Sequence, residues 1–237
     1  MKKLFCLLTI LTLLFVLCAC SDGVLDPISP YEKTRTNISK DHVNEFINAM
    51  GGEKELGGLA TGYTLDKAHC YNVTPIAVAA ETDMMIFKFS HTCMTFVLID
   101  NQVYPLGLSF GGYGFVNAVP CDFDNDGNKD LLYAYSWGSG VHRSVISVFN
   151  SATKESTNLY NTMDTSNPEV DLIVATSSSL SAAKNEHHAP YYEIYLAEIT
   201  RNDKKNFNAA DLSYEATGLV GSIEVHNGTP VFKPAQN

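Results

Sequence analysis

The sequence is poor in basic residues relative to acidic ones. Lysine and arginine together number 16 against 26 aspartates and glutamates, and the net charge is −10 at pH 7. The phosphates of nucleic acid and of anionic lipid headgroups repel such a surface. The composition therefore excludes nucleic acid from the expected partners and suits a protein that meets divalent cations.

Cysteine is also sparse beyond the first 20 residues, where only Cys70, Cys93 and Cys121 occur. No two of them have the CxxC spacing typical of a structural zinc site. Their odd number leaves at least one thiol free or paired between chains, and the sequence does not choose among the intramolecular pairings. Free, buried thiols are the interpretation that we favour.

Long apolar runs are missing except at the N-terminus, where Lys2 and Lys3 precede the apolar stretch from Leu4 to Leu17. A membrane-spanning helix needs about 20 apolar residues, so this stretch is too short for one. A positive start followed by a short apolar run is typical of a secretory signal. The sequence therefore predicts a signal peptide over residues 1–19.

The end of this run reads Leu17-Cys18-Ala19-Cys20, which resembles the lipobox of bacterial lipoproteins. The resemblance implies that Cys20 becomes the lipid-modified first residue of the mature protein. It further implies an extracytoplasmic protein whose partner is the bacterial cell membrane, bound through acyl chains such as palmitate. Each buried CH₂ group contributes about 0.8 kcal/mol to such an anchor.

Residues 20–38 contain Pro27 and Pro30 and little apolar periodicity, which predicts a tether. Residues 39–237 are then a single domain. Its first element is predicted to be a helix with Ser39 or Asp41 as its cap and Gly51-Gly52 at its end. The apolar stripe of that helix has i, i+3, i+4, i+7 spacing and consists of Val43, Phe46, Ile47 and Met50.

From Val73 onward, short segments rich in β-branched and aromatic residues alternate with turn residues. Among them are "VTPIAVAA", "CMTFVLID" and "LLYAYSW", and "IDNQVY" and "VHNGTPVF" are typical of hairpins. A second helix is predicted around "KKNFNAADLSYEA". The fold class is therefore mainly β, with antiparallel sheets, a partial-propeller or sandwich-like arrangement, and one or two short helices.

An acid followed by an apolar strand recurs at about the period of propeller blades. The three occurrences begin at Asp83, Asp130 and Asp171. They are short, so they favour a propeller-like repeat only weakly.

The most informative stretch is "CDFDNDGNKDLL", residues 121–132. Calcium takes six to eight oxygen ligands, and alternate residues of a tight loop turn toward one centre. Gly127 lets the chain curve between them. The predicted ligands are the carboxylates of four aspartates and one backbone carbonyl, namely Asp122, Asp124, Asp126, Asp130 and the carbonyl of Asn128.

An EF-hand does not account for this loop, because Tyr133 stands where an EF-hand has its bidentate glutamate. The stretch resembles instead the FG-GAP or VCBS repeat of integrin-type propellers. That family reads Phe-Gly, a strand, Asp-x-Asp-x-Asp-Gly-x-x-Asp and Leu-Leu, and residues 108–150 follow this order from Phe110-Gly111 to Leu131-Leu132. The resemblance implies a calcium ion that braces a β-hairpin. The alternative from the residues alone is an ordinary acidic turn.

Catalytic motifs are weak. Ser139 near His142 misses the G-x-S-x-G spacing, and His187-His188 fits a polar linker better than a metal site. Tyr133, Tyr135 and Trp137 alternate along one strand, where core packing is favoured over a ligand-binding face. The expected function is a non-catalytic surface module that binds an extracellular protein or glycan. The alternative is a hydrolase of extracellular polymer.

Overall fold

The computed structural model describes residues 31–56, 62–108, 111–138, 140–164, 169–177, 191–205, 208–226 and 228–236. The predicted lipidation site Cys20, the residues His187-His188 and the hairpin residue Asn227 lie outside these ranges. Within them, the helices are too short or too polar to cross a bilayer.

Fifteen strands and two α-helices make up the described part, together with one 3₁₀ turn at Thr162–Asp164. The helices are α1 (Val43–Ala49) and α2 (Ile76–Glu81). The strands before the aspartate-rich loop are β1 (Thr34–Arg35), β2 (Lys54–Glu55), β3 (Thr64–Leu65), β4 (Cys70–Asn72), β5 (Met85–Phe89), β6 (Thr95–Ile99), β7 (Gln102–Gly107) and β8 (Gly114–Cys121). Those after it are β9 (Asp130–Trp137), β10 (Arg143–Asn150), β11 (Glu155–Asn161), β12 (Leu172–Ser177), β13 (Tyr191–Arg201), β14 (Leu212–His226) and β15 (Thr229–Pro234).

The strands form three main antiparallel sheets in chain order. The first sheet is β4-β5-β6-β7, the second is β8-β9-β10-β11, and the third runs β12-β13-β14 with β15 and β1 both pairing with the long strand β14. A two-stranded sheet, β2-β3, stands apart. The mainly β, antiparallel prediction is therefore confirmed.

The second sheet lies between the other two, and its strand β9 is buried along almost its whole length. Leu131 and Tyr133 belong to the core shared with the first sheet. Leu132 and Ala134 belong to the core shared with the third sheet. Because alternate side chains of a strand point to opposite faces, one strand stabilises both interfaces.

The first strands of the second and third sheets are neighbours, and Asn117 on β8 joins them. Its Nδ2 donates to the Val174 carbonyl at 2.7 Å, and its Oδ1 accepts from the Val174 N–H at 3.1 Å. The amide thus takes the place of a peptide group at the edge of β12. The predicted sandwich-like or partial-propeller arrangement is consistent with these three packed sheets.

Helix α1 covers the outer face of the first sheet, as its apolar stripe predicts. Phe46 is fully buried and stacks on Phe87 with ring centroids 4.3 Å apart. The predicted cap is wrong, because the N-cap is His42, in a left-handed conformation and without a side-chain cap bond. Gly51 follows the helix with φ of 87°, which confirms the predicted end.

Two predicted elements have the wrong type. "VTPIAVAA" contains helix α2 instead of a strand, since Pro75 fits the start of a helix and the alanines that follow favour helix. The described part of "KKNFNAADLSYEA" is a turn followed by β14 instead of a helix. Here Leu212 and Ala216 are buried in the core between the second and third sheets, so packing overrides the helical propensity of the alanines.

The repeated acidic positions are not equivalent in the structure. Asp130 is the first residue of β9 and Asp83 lies two residues before β5, both second strands of their sheets, whereas Asp171 precedes β12, which begins the β12-β13-β14 part of the third sheet. The three cysteines beyond residue 20 are all free and buried, as we favoured: Cys70, Cys93 and Cys121.

Candidate metal centre

The aspartate-rich loop joins β8 to β9 at one end of the second sheet. Its base is fixed by Phe123, which is buried and meets Tyr192 of β13 edge to face with ring centroids 5.0 Å apart. The sequence interpretation missed this contact, although a phenylalanine between two aspartates is the kind of residue that would be expected to pack against the domain. The loop is therefore attached to the third sheet as well as the second.

Three of the predicted ligands come together. Asp122, Asp124 and Asp126 each place a carboxylate oxygen within 4.8 Å of the other two. At such a distance, two unit charges repel by about 1 kcal/mol in water and by more where solvent is partly excluded. The attraction of a bound cation to all three carboxylates would outweigh this repulsion.

Local hydrogen bonds hold the turn that brings these acids together. Asp126 accepts from the backbone N–H of Asn128 at 2.7 Å and from its side-chain amide at 3.0 Å. These bonds lower the pKa of Asp126, with the side-chain bond contributing most, so its carboxylate is charged at neutral pH. Asn125 and Gly127 adopt φ values of 57° and 87°, which asparagine tolerates and glycine favours.

The predicted ligand Asp130 lies outside this group of three. It is buried, and its Oδ1 accepts from the Ser151 N–H at 2.7 Å. Burial raises the pKa of Asp130, and the bond to Ser151 opposes that shift. The charges of Asp124 and Asp126 raise this pKa further. Asp130 thus fastens the start of β9 to the turn between β10 and β11.

Asn150, which the sequence interpretation did not select, connects the loop to that same turn. Its Nδ2 lies 3.0 Å from Asp124 Oδ2 and 3.3 Å from Asp130 Oδ2. Its Oδ1 accepts the backbone N–H groups of Ala152 and Thr153. One amide therefore orients two acids and also shapes a turn.

The donor set fits calcium. Oδ1 of Asp122 is buried and, among the described residues, has no hydrogen-bond partner. An unsatisfied buried acceptor costs about 1–3 kcal/mol, and more when it is charged. Carboxylate oxygens suit calcium, whose coordination geometry is adaptable, whereas zinc prefers nitrogen and sulfur ligands and magnesium requires near-ideal octahedral geometry.

A serine, an acid and a histidine meet elsewhere, but in the wrong order for nucleophilic catalysis. Ser136 Oγ donates to Asp171 Oδ1 at 2.9 Å, and His142 Nδ1 lies 3.7 Å from Asp171 Oδ2. In a catalytic triad the histidine contacts the serine, whereas here the acid stands between them. Ser136 is also fully buried. The predicted partner Ser139 lies outside the described residues.

The aromatic residues of β9 pack in the core, which is the interpretation favoured from the sequence. Tyr133 and Tyr135 are buried between the first and second sheets, and Tyr133 donates to the Leu106 carbonyl at 2.9 Å. Trp137 at the strand end is half-buried, with the Arg143 guanidinium 5.4 Å from its ring centroid.

No family model, curated protein or solved structure matches the chain. The resemblance to an FG-GAP or VCBS repeat therefore stays a prediction based on residues 108–150.

Proposed function

We propose that the protein is a lipid-anchored extracytoplasmic protein whose β domain is braced by calcium and acts as a non-catalytic binding module. The observation that supports this best is the group of three carboxylates, Asp122, Asp124 and Asp126, at the turn between β8 and β9. The acidic composition and the predicted lipobox at Cys20 agree with an extracytoplasmic site, where calcium is available.

Calcium would act here as a structural ion. The loop contacts the third sheet through Phe123 and the β10–β11 turn through Asn150 and Asp130. An ion that holds Asp122, Asp124 and Asp126 would therefore stabilise three parts of the fold at once. The partner of the module is an extracellular protein or glycan, and the anchor would keep the domain beside the membrane.

Thermal melting of the full chain in detergent, with calcium and with a calcium chelator, tests the ion. Calcium at a hundredfold excess over Kd adds about 2.7 kcal/mol to the free energy of unfolding when only the folded state binds. We expect a rise in Tm for the wild type and little rise for Asp126→Asn. The control is Asp83→Ala, an exposed acid outside the loop, which keeps the full shift. A wild type with no shift and no binding heat contradicts the proposal.

Metabolic labelling with palmitate tests the anchor independently. The lipobox resemblance predicts that the wild type incorporates label and Cys20→Ala does not. Cys18→Ala is the matched control and keeps its label. Equal labelling of the wild type and Cys20→Ala contradicts the anchor but leaves the calcium site untouched.

A further inference from the structure

Two imidazole rings face each other at the edge of the first sheet. His69 directly precedes β4, and His91 lies in the turn between β5 and β6. Their ring centroids are 4.3 Å apart with the planes inclined by 51°. The backbone holds the two segments together, because the Ser90 N–H donates to the His69 carbonyl at 2.8 Å. The pairing is therefore built into the sheet.

Asp66 supports the first of these rings. Its Oδ1 and Oδ2 lie 2.9 and 3.1 Å from His69 Nδ1, and Oδ1 also accepts the backbone N–H of His69 at 3.0 Å. A carboxylate at Nδ1 keeps the proton there and leaves the lone pair on Nε2. Metal-binding histidines usually have such a carboxylate or carbonyl behind them.

The second ring offers a nitrogen with no competing bond. His91 Nδ1 is buried and, within the described part of the chain, makes no hydrogen bond. A ring nitrogen that no other group bonds can offer its lone pair to a metal ion.

The loop that presents His69 is rigidly held. Lys40 Nζ donates to the carbonyls of Lys67, Ala68 and Cys70 at 2.9, 2.8 and 2.6 Å. The His69 side chain is 50% exposed, so an ion can reach it from solvent. Positioned ligands with an open entry are what a surface metal site requires.

We propose that His69 and His91 bind one divalent late transition-metal ion, such as Zn²⁺ or Cu²⁺. Asp66 is the positioning residue for His69, and water completes the coordination. Metal–nitrogen bonds of about 2.0–2.1 Å require each ring to turn one nitrogen toward the ion. Imidazole nitrogens select such metals, whereas the carboxylates of the aspartate loop select calcium. The two sites are therefore separate in both place and chemistry.

The test uses the full chain in detergent with calcium in excess and with His187 and His188 replaced by Gln. Calorimetry measures Zn²⁺ binding, and electron paramagnetic resonance of added Cu²⁺ counts the coordinated nitrogens. We expect coupling to two imidazole nitrogens and at least a tenfold loss of Zn²⁺ affinity in His69→Gln and in His91→Gln. Asp66→Asn is expected to lower the affinity by about 10–100-fold.

The matched control is His42→Gln. His42 also pairs with a carboxylate three residues away, Glu45, at 3.0 Å, but among the described residues it forms no ring contact with a second imidazole. This variant is expected to bind Zn²⁺ as the parent does. No binding by the parent, coupling to fewer than two nitrogens, or undiminished affinity in both His69→Gln and His91→Gln overturns the proposal. The nitrogen count is read on the parent, so it holds even if a variant fails to fold.

Discussion

Lys88 is a lysine whose side chain lies in the protein interior instead of in solvent. It is 1% exposed, and its Nζ donates to the Phe115 carbonyl at 2.7 Å. Burial lowers its pKa from 10.5 to about 7. Cys93 opposes this shift, and Arg201 adds to it. The fold therefore favours the neutral amine at a position between the first and second sheets.

This environment predicts a stability that rises with pH. Above pH 10.5 the Lys88 amine is neutral in both the folded and the unfolded chain. Between pH 10.5 and pH 7 the unfolded chain binds a proton at Lys88 that the folded chain does not bind. The contribution of Lys88 to the free energy of unfolding therefore falls as the pH falls through this range. From pH 7 to 9, the wild type is expected to gain about 2 kcal/mol in its free energy of unfolding relative to Lys88→Met. Lys88→Met removes this gain.

Urea unfolding of the two proteins at pH 7, 8 and 9 measures the difference. Thiols of the unfolded chain, with a pKa of about 8.5, begin to ionise in this range, whereas burial raises the pKa of Cys70, Cys93 and Cys121 in the fold. This opposing effect is the same in both proteins, so the difference between them isolates Lys88. Lys154→Met is the control, since Lys154 pairs with Asp100 near the surface and should leave the slope unchanged. Parallel pH profiles for wild type and Lys88→Met would show that Lys88 is charged in the fold.

At the scale of elements, the junction between β8 and β12 depends on Asn117. Replacing Asn117 with Leu leaves both the N–H and the carbonyl of Val174 without their partner in a buried place. Each unsatisfied group costs about 1–3 kcal/mol, so we expect a loss of about 2–5 kcal/mol in the free energy of unfolding. Chemical denaturation gives this value.

A matched pair separates the two bonds at this junction. Asn117→Asp keeps an acceptor for the Val174 N–H but sets a carboxylate against the Val174 carbonyl, so it should also be destabilising, and less so at low pH, where the acid can donate. Wild-type stability in Asn117→Leu would mean that water or a backbone shift replaces the amide.

The elements that sequence alone could predict are those with local causes. The turn at Asp100-Asn101, with φ of 53° and 57°, follows from residues that tolerate the left-handed region. The grouping of Asp122, Asp124 and Asp126 follows from alternate positions on one short loop. Each of these causes acts within a few residues of the chain.

The contacts of Asn117 and Asn150 could not be predicted in this way. Asn117 bonds a residue 57 positions away, and Asn150 bonds one 26 positions away. Both contacts exist only because the sheets pack in one order. The type of α2 was also beyond reach, because valine and isoleucine beside alanine fit either a helix or a strand.

At the scale of the whole molecule, the layered order predicts a gradient of protection. The central strand β9 is buried on both faces, whereas β11 has mostly exposed residues. Opening β9 requires separating two cores, so its amides should exchange only through global unfolding. Hydrogen exchange followed by mass spectrometry should give the slowest rates in β9 and faster rates in β11 and β15. Equal rates in β9 and β11 would contradict this order.

The position of β1 has a mechanical consequence. This two-residue strand, Thr34–Arg35, pairs with β14 near the C-terminal end of the chain, and Arg35 forms a two-pronged bond with Asp211 at 2.9 and 2.7 Å. If residue 20 is held at a membrane, any pull on the domain is transmitted first to this short pair. Strand β1 would then detach before the longer strand pairs of the three main sheets open. The residues released from β1 would lengthen the tether, while the aspartate loop and the histidine pair would stay folded.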